Sequence, residues 1–184
     1  MSENDDLITR CLRKEVLAQR QLYDLYKARV MGLCRRYTKN IEAAEDVYQE
    51  TFIKVFQSLE QLHDRKHLEQ WVKRIAVNTA VNYYHRHKRN VHSEESKGQH
   101  QANNDYTLIL SQFSDELLVG LISELPDGYR IIFNLHEVEG FNHKEIGQML
   151  GISESTCRSQ LNRARLSLQS RLKELGVLKY EDYG

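Results

Sequence analysis

Basic, amide and aromatic side chains are concentrated between Trp71 and Arg89, where the sequence reads WVKRIAVNTAVNYYHRHKR without an acidic residue. On a helix, Trp71 shares a face with Arg74 and Asn78, because these residues lie three and seven positions further along. Aromatic rings stack on unpaired bases, amides read base edges, and cations hold phosphates. The pattern therefore predicts a surface for unstacked or single-stranded nucleic acid. For Trp71 alone, a place in the hydrophobic core is an equal alternative.

A second pattern, FNHKEIGQMLGISESTCRSQLNRARL at residues 141–166, predicts two short helices around a three-residue turn. Asn142 and Glu145 have the spacing of a capping box at the start of the first helix. Gly151 suits the left-handed position at its end. Gly147 leaves space for the second helix to approach closely.

The second helix is predicted to begin after a Ser153 cap and to have two distinct faces. The apolar face, predicted to be buried, consists of Cys157, Leu161, Ala164 and Leu168. The polar face, predicted to contact DNA, consists of Ser155, Arg158, Ser159, Asn162 and Arg163. A helix-turn-helix with arginines on its second helix is typical of duplex recognition in the major groove. A helical hairpin with a solvated face is the alternative.

An acidic surface is predicted on the helix that contains IEAAEDVYQETFIKVF, residues 41–56. Its apolar stripe consists of Ala44, Val47, Phe52, Val55, Phe56 and Leu59. The opposite side carries Asp46, Gln49, Glu50 and Ile53. A solvated face is the default interpretation of such a surface, and a docking face for a basic partner helix is the functional one.

The elements that must position these groups are all helical. Apolar residues recur at helical spacing through most of the chain, and no strand-like alternation is bounded by turn residues. One apolar face is predicted near the N-terminus: Leu12, Val16, Leu22, Leu25, Tyr26, Val30 and Leu33. Further helices are predicted over about Ile41–Leu59 and Glu69–Arg89. The expected fold class is therefore all-α.

The charge distribution divides the chain. Residues 1–90 carry a net charge of +5, although the whole chain has 26 basic and 26 acidic residues. The segment His92–Asp105 has a single apolar residue, so it cannot bury enough surface to offset the entropy of ordering. We therefore predict a domain at 1–90, a flexible linker at 91–114 and a second domain at 115–184.

Several classes of protein are excluded by the composition and by missing motifs. No apolar run is long enough to span a membrane, and the polar N-terminus lacks the features of a secretory signal. Three widely spaced cysteines predict reduced thiols in a cytoplasmic protein. The sequence has no phosphate-binding loop, nucleophile elbow or metal-ligand spacing, so we predict no enzymatic activity, metal or cofactor.

Taken together, these patterns resemble the extracytoplasmic-function sigma factors of bacterial RNA polymerase. AEDVYQETFIKVF is similar to the family's core-binding helix, and WVKRIAVNTAVNYYHRHKR is similar to the helix that melts and reads the −10 element. The stretch from ISELPDG to RARLSL resembles region 4, which reads the −35 element. The resemblance covers about residues 15–90 and 115–172 in the family's order. It implies a non-enzymatic protein whose two helical domains direct core polymerase to promoters and open the −10 element.

The resemblance also implies roles for individual residues. Contact with core polymerase would fall to Asp46, Gln49, Glu50 and Ile53. Contact with the −10 element would fall to Trp71, Arg74, Asn78, Asn82, Arg86, Lys88 and Arg89. The loop from Leu62 to His67 would complete a pocket for a flipped base. The helix-turn-helix face would meet the −35 duplex, and an anti-sigma factor is a further candidate partner.

Two other classes of protein remain as alternatives. A transcriptional regulator with an N-terminal sensing or dimerisation domain explains the helix-turn-helix equally well, but it leaves the basic helix at 71–89 unexplained. An enzyme is a weaker alternative because no catalytic motif is present. Binding to core polymerase distinguishes the first alternative, and catalytic turnover by the purified chain distinguishes the second.

Overall fold

The computed structural model describes residues 3–88 and 115–176, and within these ranges every regular element is helical. The first range holds α1 (Glu3–Leu12), α2 (Val16–Tyr37), α3 (Ile41–Ser58), 3-10 turns Leu59–Gln61 and Arg65–His67, and α4 (Leu68–His87). The second holds α5 (Asp115–Glu124), α6 (Asp127–Phe133), a π-helical turn (Asn134–Val138), α7 (His143–Leu150) and α8 (Glu154–Glu174). The predicted all-α class is confirmed.

The chain divides into two compact units, Met1–Tyr83 and Tyr84–Gly184. The division falls inside α4, one helical turn before that helix ends at His87. The predicted linker at 91–114 lies outside the described residues.

The core of the first unit forms around α2, which packs against both α1 and α3. Leu22, Tyr26 and Val30 are buried on α2, whereas Val16 is 76% exposed and Leu25 is 53% exposed. The single apolar face that the sequence predicts through these residues is therefore wrong at two positions. The reason lies within α2, where the buried stripe runs through Ala18, Leu22, Tyr26 and Val30 at steps of four. Val16 and Leu25 lie on the same helix but off this stripe.

Helix α4 is joined to the rest of the first unit by its buried face and by two polar contacts. Its buried side chains are Leu68, Val72, Ala76, Val77, Thr79, Ala80 and Val81. Arg29 of α2 pairs with Glu69 at 2.8 Å, and Nζ of Lys54 donates to Oγ1 of Thr79 at 3.5 Å. These long-range contacts fix which face of α4 points to solvent.

The second unit is built on α8, which packs against α5, α6 and α7. Arg130 of α6 is 3% exposed, and its guanidinium donates to the carbonyl oxygens of Ile122, Ser123 and Leu125 at and just beyond the end of α5. It also pairs with Asp127 at 2.8 Å. Arg130 therefore satisfies carbonyls that the end of a helix leaves without partners.

Candidate polymerase and nucleic-acid interfaces

The acidic surface predicted on α3 is present as one continuous side of the helix. Asp46 and Gln49 are exposed, and Ile53 is 55% exposed. Glu50 lies at the border of this side, half-buried, and pairs with Lys54 at 2.7 Å. Lys54 in turn contacts α4, so the position of Glu50 is linked to the neighbouring helix.

The exposed acidic side chains of α3 extend one turn further toward its N-terminus than the predicted surface. Glu42 and Glu45 are also exposed, and Ile41 is 52% exposed at the first position of α3. The signal was available, because Glu42 and Asp46 lie four residues apart, as do Glu45 and Gln49. Acidic groups in the first turn also interact favourably with the positive end of the helix dipole.

The nucleic-acid surface predicted on α4 is accessible along the described part of its length. Arg74, Asn78 and Asn82 are exposed at successive turns of the helix, and Trp71 is half-buried at the start of the same side. Trp71 is therefore not a fully buried core residue. Arg86 and Lys88 are exposed near the end of the helix, and Arg89 lies outside the described residues.

The loop that precedes α4 is organised by Asp64. Its carboxylate accepts from the backbone N–H of Lys66 at 3.1 Å and contacts Nδ1 of His67 at 2.8 Å. These two contacts hold the pKa of Asp64 below its ordinary value, so the carboxylate stays charged. Leu62 is buried and anchors the loop, whereas His63, Lys66 and His67 are exposed.

The turn between α7 and α8 has the geometry that its sequence predicts. Asn142 accepts from the backbone N–H of Glu145 at 2.9 Å, and the Glu145 carboxylate accepts from the N–H of Asn142 at 2.8 Å. Gly151 has a φ of 67°, in the left-handed region, and Ser153 accepts from the N–H of Thr156 at 3.1 Å. The capping box, the left-handed glycine and the serine cap are all confirmed.

Gly147 lets the main chain of the following turn, and not the side chains of the second helix, lie close to α7. A Cβ atom at this position would lie 2.8 Å from the carbonyl oxygen of Ile152. The Gly147 carbonyl also accepts the N–H groups of Gly151 and Ile152. The turn is therefore folded directly against the end of α7.

The polar face predicted on α8 is present, with a gradient of exposure. Ser155, Arg158 and Ser159 near its start are exposed, whereas Asn162 and Arg163 are half-buried. Arg158 also forms an ion pair with Glu154 one turn earlier. The apolar face is buried as predicted, and α8 continues to Glu174, so the second helix is longer than the short helix expected.

Behind this face lies a polar cluster that the sequence did not reveal. The rings of His136 and His143 stack at 4.7 Å between centroids, and Nδ1 of His143 is 3.5 Å from Sγ of Cys157. The Glu137 carboxylate is 14% exposed and pairs with both His136 and Arg165. Arg165 therefore links α8 to the π-helical turn and does not belong to the exposed arginine face.

Among residues 3–88 and 115–176, no group of three or more His, Cys, Asp or Glu side chains is placed to hold a metal ion. None of the described helices is both long enough and apolar enough to cross a membrane.

Comparison with known proteins assigns a family to both units. The sigma-70 region 2 model matches residues 22–90, and the sigma-70 region 4 model matches residues 115–168. The ECF RNA polymerase sigma factor SigM of Bacillus subtilis is 30% identical over 151 residues, which cover 82% of this chain and 92% of SigM. The chain belongs to the extracytoplasmic-function sigma factors. As a sigma factor, it has core RNA polymerase and promoter DNA as its partners.

Other sigma factors of this class match over similar lengths. The ECF RNA polymerase sigma-E factor of Haemophilus influenzae is 28% identical, with 92% of this chain and 95% of that protein covered. SigW of Bacillus subtilis is 26% identical, with 84% and 88% covered. Because region 2 matches the N-terminal helices, a sigma factor is favoured over a helix-turn-helix regulator with a sensing domain.

Proposed function

We propose that this sigma factor docks on core polymerase through α3, opens and holds the −10 element with α4 and its preceding loop, and reads the −35 duplex with α8. The observation that carries the proposal is that three exposed helix faces bear different kinds of side chain. The face of α3 is acidic, and that of α4 carries cations, amides and a tryptophan. The face of α8 carries serines, arginines and an amide, and it follows a capped turn.

The acidic face of α3 fits a basic partner helix. Asp46 and Glu50 lie four residues apart, so their charges share the side of the helix that also carries the exposed Ile53. Glu50 is oriented by its ion pair with Lys54. Opposite charges at an interface accelerate encounter and fix register, while a central apolar side chain contributes burial. The proposed contact residues on core polymerase are Asp46, Gln49, Glu50 and Ile53.

The face of α4 fits separated DNA strands better than duplex DNA. Base pairing occupies the Watson–Crick edges, which Asn78 and Asn82 would read, and duplex stacking covers the base faces that Trp71 would contact. Stacking of a base on an aromatic side chain is worth about 1–3 kcal/mol, which offsets part of the cost of unpairing. Arg74, Arg86, Lys88 and Arg89 would hold the phosphate backbone.

The face of α8 fits an intact major groove. The first turns of a recognition helix reach the base edges, and there Ser155, Arg158 and Ser159 are exposed. Asn162 and Arg163, which are half-buried, would contact the edge of the same groove. Glu154 pre-orients Arg158, although it must release this side chain if the guanidinium is to contact a guanine.

The proposal extends to the protein's wider setting. Nucleotide addition belongs to core polymerase, so we propose that the chain has no enzymatic activity of its own and requires no cofactor. We propose the cytoplasm as its location because core polymerase acts there. An anti-sigma factor remains a proposed partner on the basis of the family resemblance.

A competition assay for core polymerase tests the docking face. The double variant Asp46→Ala/Glu50→Ala should lose about tenfold in affinity, equivalent to about 1.4 kcal/mol, with its thermal unfolding nearly unchanged. The control variant Glu124→Ala/Glu174→Ala removes the same charge from exposed positions of the second unit and should bind normally. Equal affinity of both variants would show that the face of α3 is only solvated.

A further inference from the structure

A single guanidinium ties the loop from Leu62 to His67 to the N-terminal helix. Nη1 of Arg65 donates to Oγ1 of Thr9 at 2.7 Å and to the carbonyl oxygen of Asp5 at 3.1 Å. Oγ1 of Thr9 itself donates to the same Asp5 carbonyl at 2.7 Å. The three groups form a closed hydrogen-bonded cluster between α1 and the loop.

Helix α1 is a firm support for this cluster. Leu7 is 5% exposed, Ile8 is 1% exposed and Cys11 is 4% exposed, so one side of α1 belongs to the core. Its last turn is tied to the start of α2 by the ion pair of Arg10 with Glu15 at 2.9 Å. A loop bonded to α1 is therefore bonded to the body of the unit.

Arg65 differs from its neighbours in the loop. Asp64, Lys66 and His67 are exposed and bond with one another, whereas Arg65 is half-buried against α1. The short 3-10 turn Arg65–His67 makes these orientations mutually dependent, because turning Arg65 inward leaves Lys66 and His67 outward. The contact with α1 therefore sets the direction in which the exposed loop side chains point.

We propose that Arg65 is a positioning residue for recognition of the −10 element. By holding the loop on α1, it fixes where the exposed loop side chains meet the unpaired promoter strand, and Thr9 influences base preference without touching DNA. The inference rests on the proposed function, because it takes the loop as part of the −10 pocket. A recognition group held in place before binding avoids the entropy cost of being ordered by its ligand.

Four variants distinguish an effect of the Arg65–Thr9 hydrogen bond from an effect on the fold. Thr9→Val removes the hydroxyl at constant shape, and Thr9→Ser restores it. Arg65→Met removes the guanidinium, and Arg13→Met is its control because it removes one positive charge from an exposed position just after α1. Each full-length variant is assayed with core polymerase for core affinity and for open-complex formation on promoters randomised in the −10 element.

We expect Thr9→Val and Arg65→Met to form about fivefold to tenfold fewer open complexes on the preferred sequence. They should also discriminate less between that sequence and its single-base variants, while core affinity stays within about twofold of wild type. Thr9→Ser and Arg13→Met should behave as wild type. The double variant Thr9→Val/Arg65→Met should lose no more than Arg65→Met alone, because Arg65→Met already breaks the bond that Thr9→Val removes.

Unchanged discrimination and opening in Arg65→Met would overturn the inference. A loss of core affinity in parallel with opening would also overturn it, because Arg65 would then support the whole unit and not the loop. Rescue by Thr9→Ser keeps the test valid if Arg65→Met fails to fold. Failure of the proposed function has a different signature, since the wild-type chain would then open no promoter.

Discussion

Helices α4 and α8 each carry a candidate DNA face, but they are held in place in different ways. The start of α8 is fixed by contacts within about a dozen residues: the Asn142–Glu145 box, the left-handed Gly151 and the Ser153 cap. Helix α4 is oriented by contacts that span long stretches of chain, including Arg29–Glu69 and Lys54–Thr79. We infer that α8 is vulnerable to single changes in its turn, whereas α4 tolerates the loss of any one surface contact.

The largest expected effect is at the turn. A methyl group from Gly147→Ala would meet the main-chain carbonyl of Ile152 at 2.8 Å, which cannot be relieved by rotating a side chain. Overpacking of this kind typically costs about 1–3 kcal/mol. We expect circular dichroism to show earlier helix loss, while fluorescence of Trp71, the single tryptophan in the chain, reports an unchanged first unit.

Gly120→Ala is the matched control for this change. No atom lies within 4 Å of a Cβ built at Gly120 in α5, so alanine should be neutral or should stabilise the helix by about 0.5–1 kcal/mol. Equal stability of the two alanine variants would show that the turn is not tightly folded against α7.

A smaller effect is expected from acid. Burial, followed by the nearby His136 and Arg158, lowers the pKa of His143 below its ordinary 6.5, against an opposing contribution from Glu154. Between these two pKa values the unfolded chain binds more protons than the folded chain, so stability is retained above about pH 6.5 and decreases as the pH falls below it. Denaturant unfolding at about pH 7.5 and about pH 5.5 measures this loss.

His143→Gln provides the comparison for the acid effect. It removes the titrating group, so the pH dependence of unfolding over this range should become shallower. An NMR titration that places the pKa of His143 above 6.5 would reverse the expected sign.

The smallest effect is expected in the first unit. Arg29 and Glu69 are 66% and 59% exposed, and ion pairs at such positions contribute about 0–1 kcal/mol. Glu69→Gln should therefore change the unfolding free energy followed by Trp71 fluorescence by no more than about 0.5 kcal/mol. A loss larger than that of Gly147→Ala would invert the comparison between the two helices.

The difference between local and long-range contacts also explains how much of the molecule could be predicted from the sequence. The capping box, Gly151 and the buried face through Cys157 depend on residues close together in the chain, and all were predicted. Val16 and Leu25 were misplaced because α2 carries more apolar residues than its one buried stripe holds, and the long-range packing with α1 and α3 selects that stripe. The role of Arg165 was missed because its partner, Glu137, lies 28 residues away.

The contact residues on α3, α4 and α8 remain predictions. Exposure of Asp46, Arg74 and Arg158 agrees with the proposed contacts. The cluster of Arg65 with Thr9 could not be predicted, because it joins groups 56 residues apart through one hydroxyl.

Permanganate footprinting of promoter DNA tests the central claim most directly, because it detects thymines that have become unpaired. With core polymerase and this sigma factor together, we expect reactive thymines at the −10 element, and with either protein alone we expect none. Replacing Trp71 and Asn78 with alanine should reduce the reactivity without loss of core binding. Tight, sequence-specific binding of the whole promoter by the free chain, with no reactive thymines when core polymerase is added, would contradict the account.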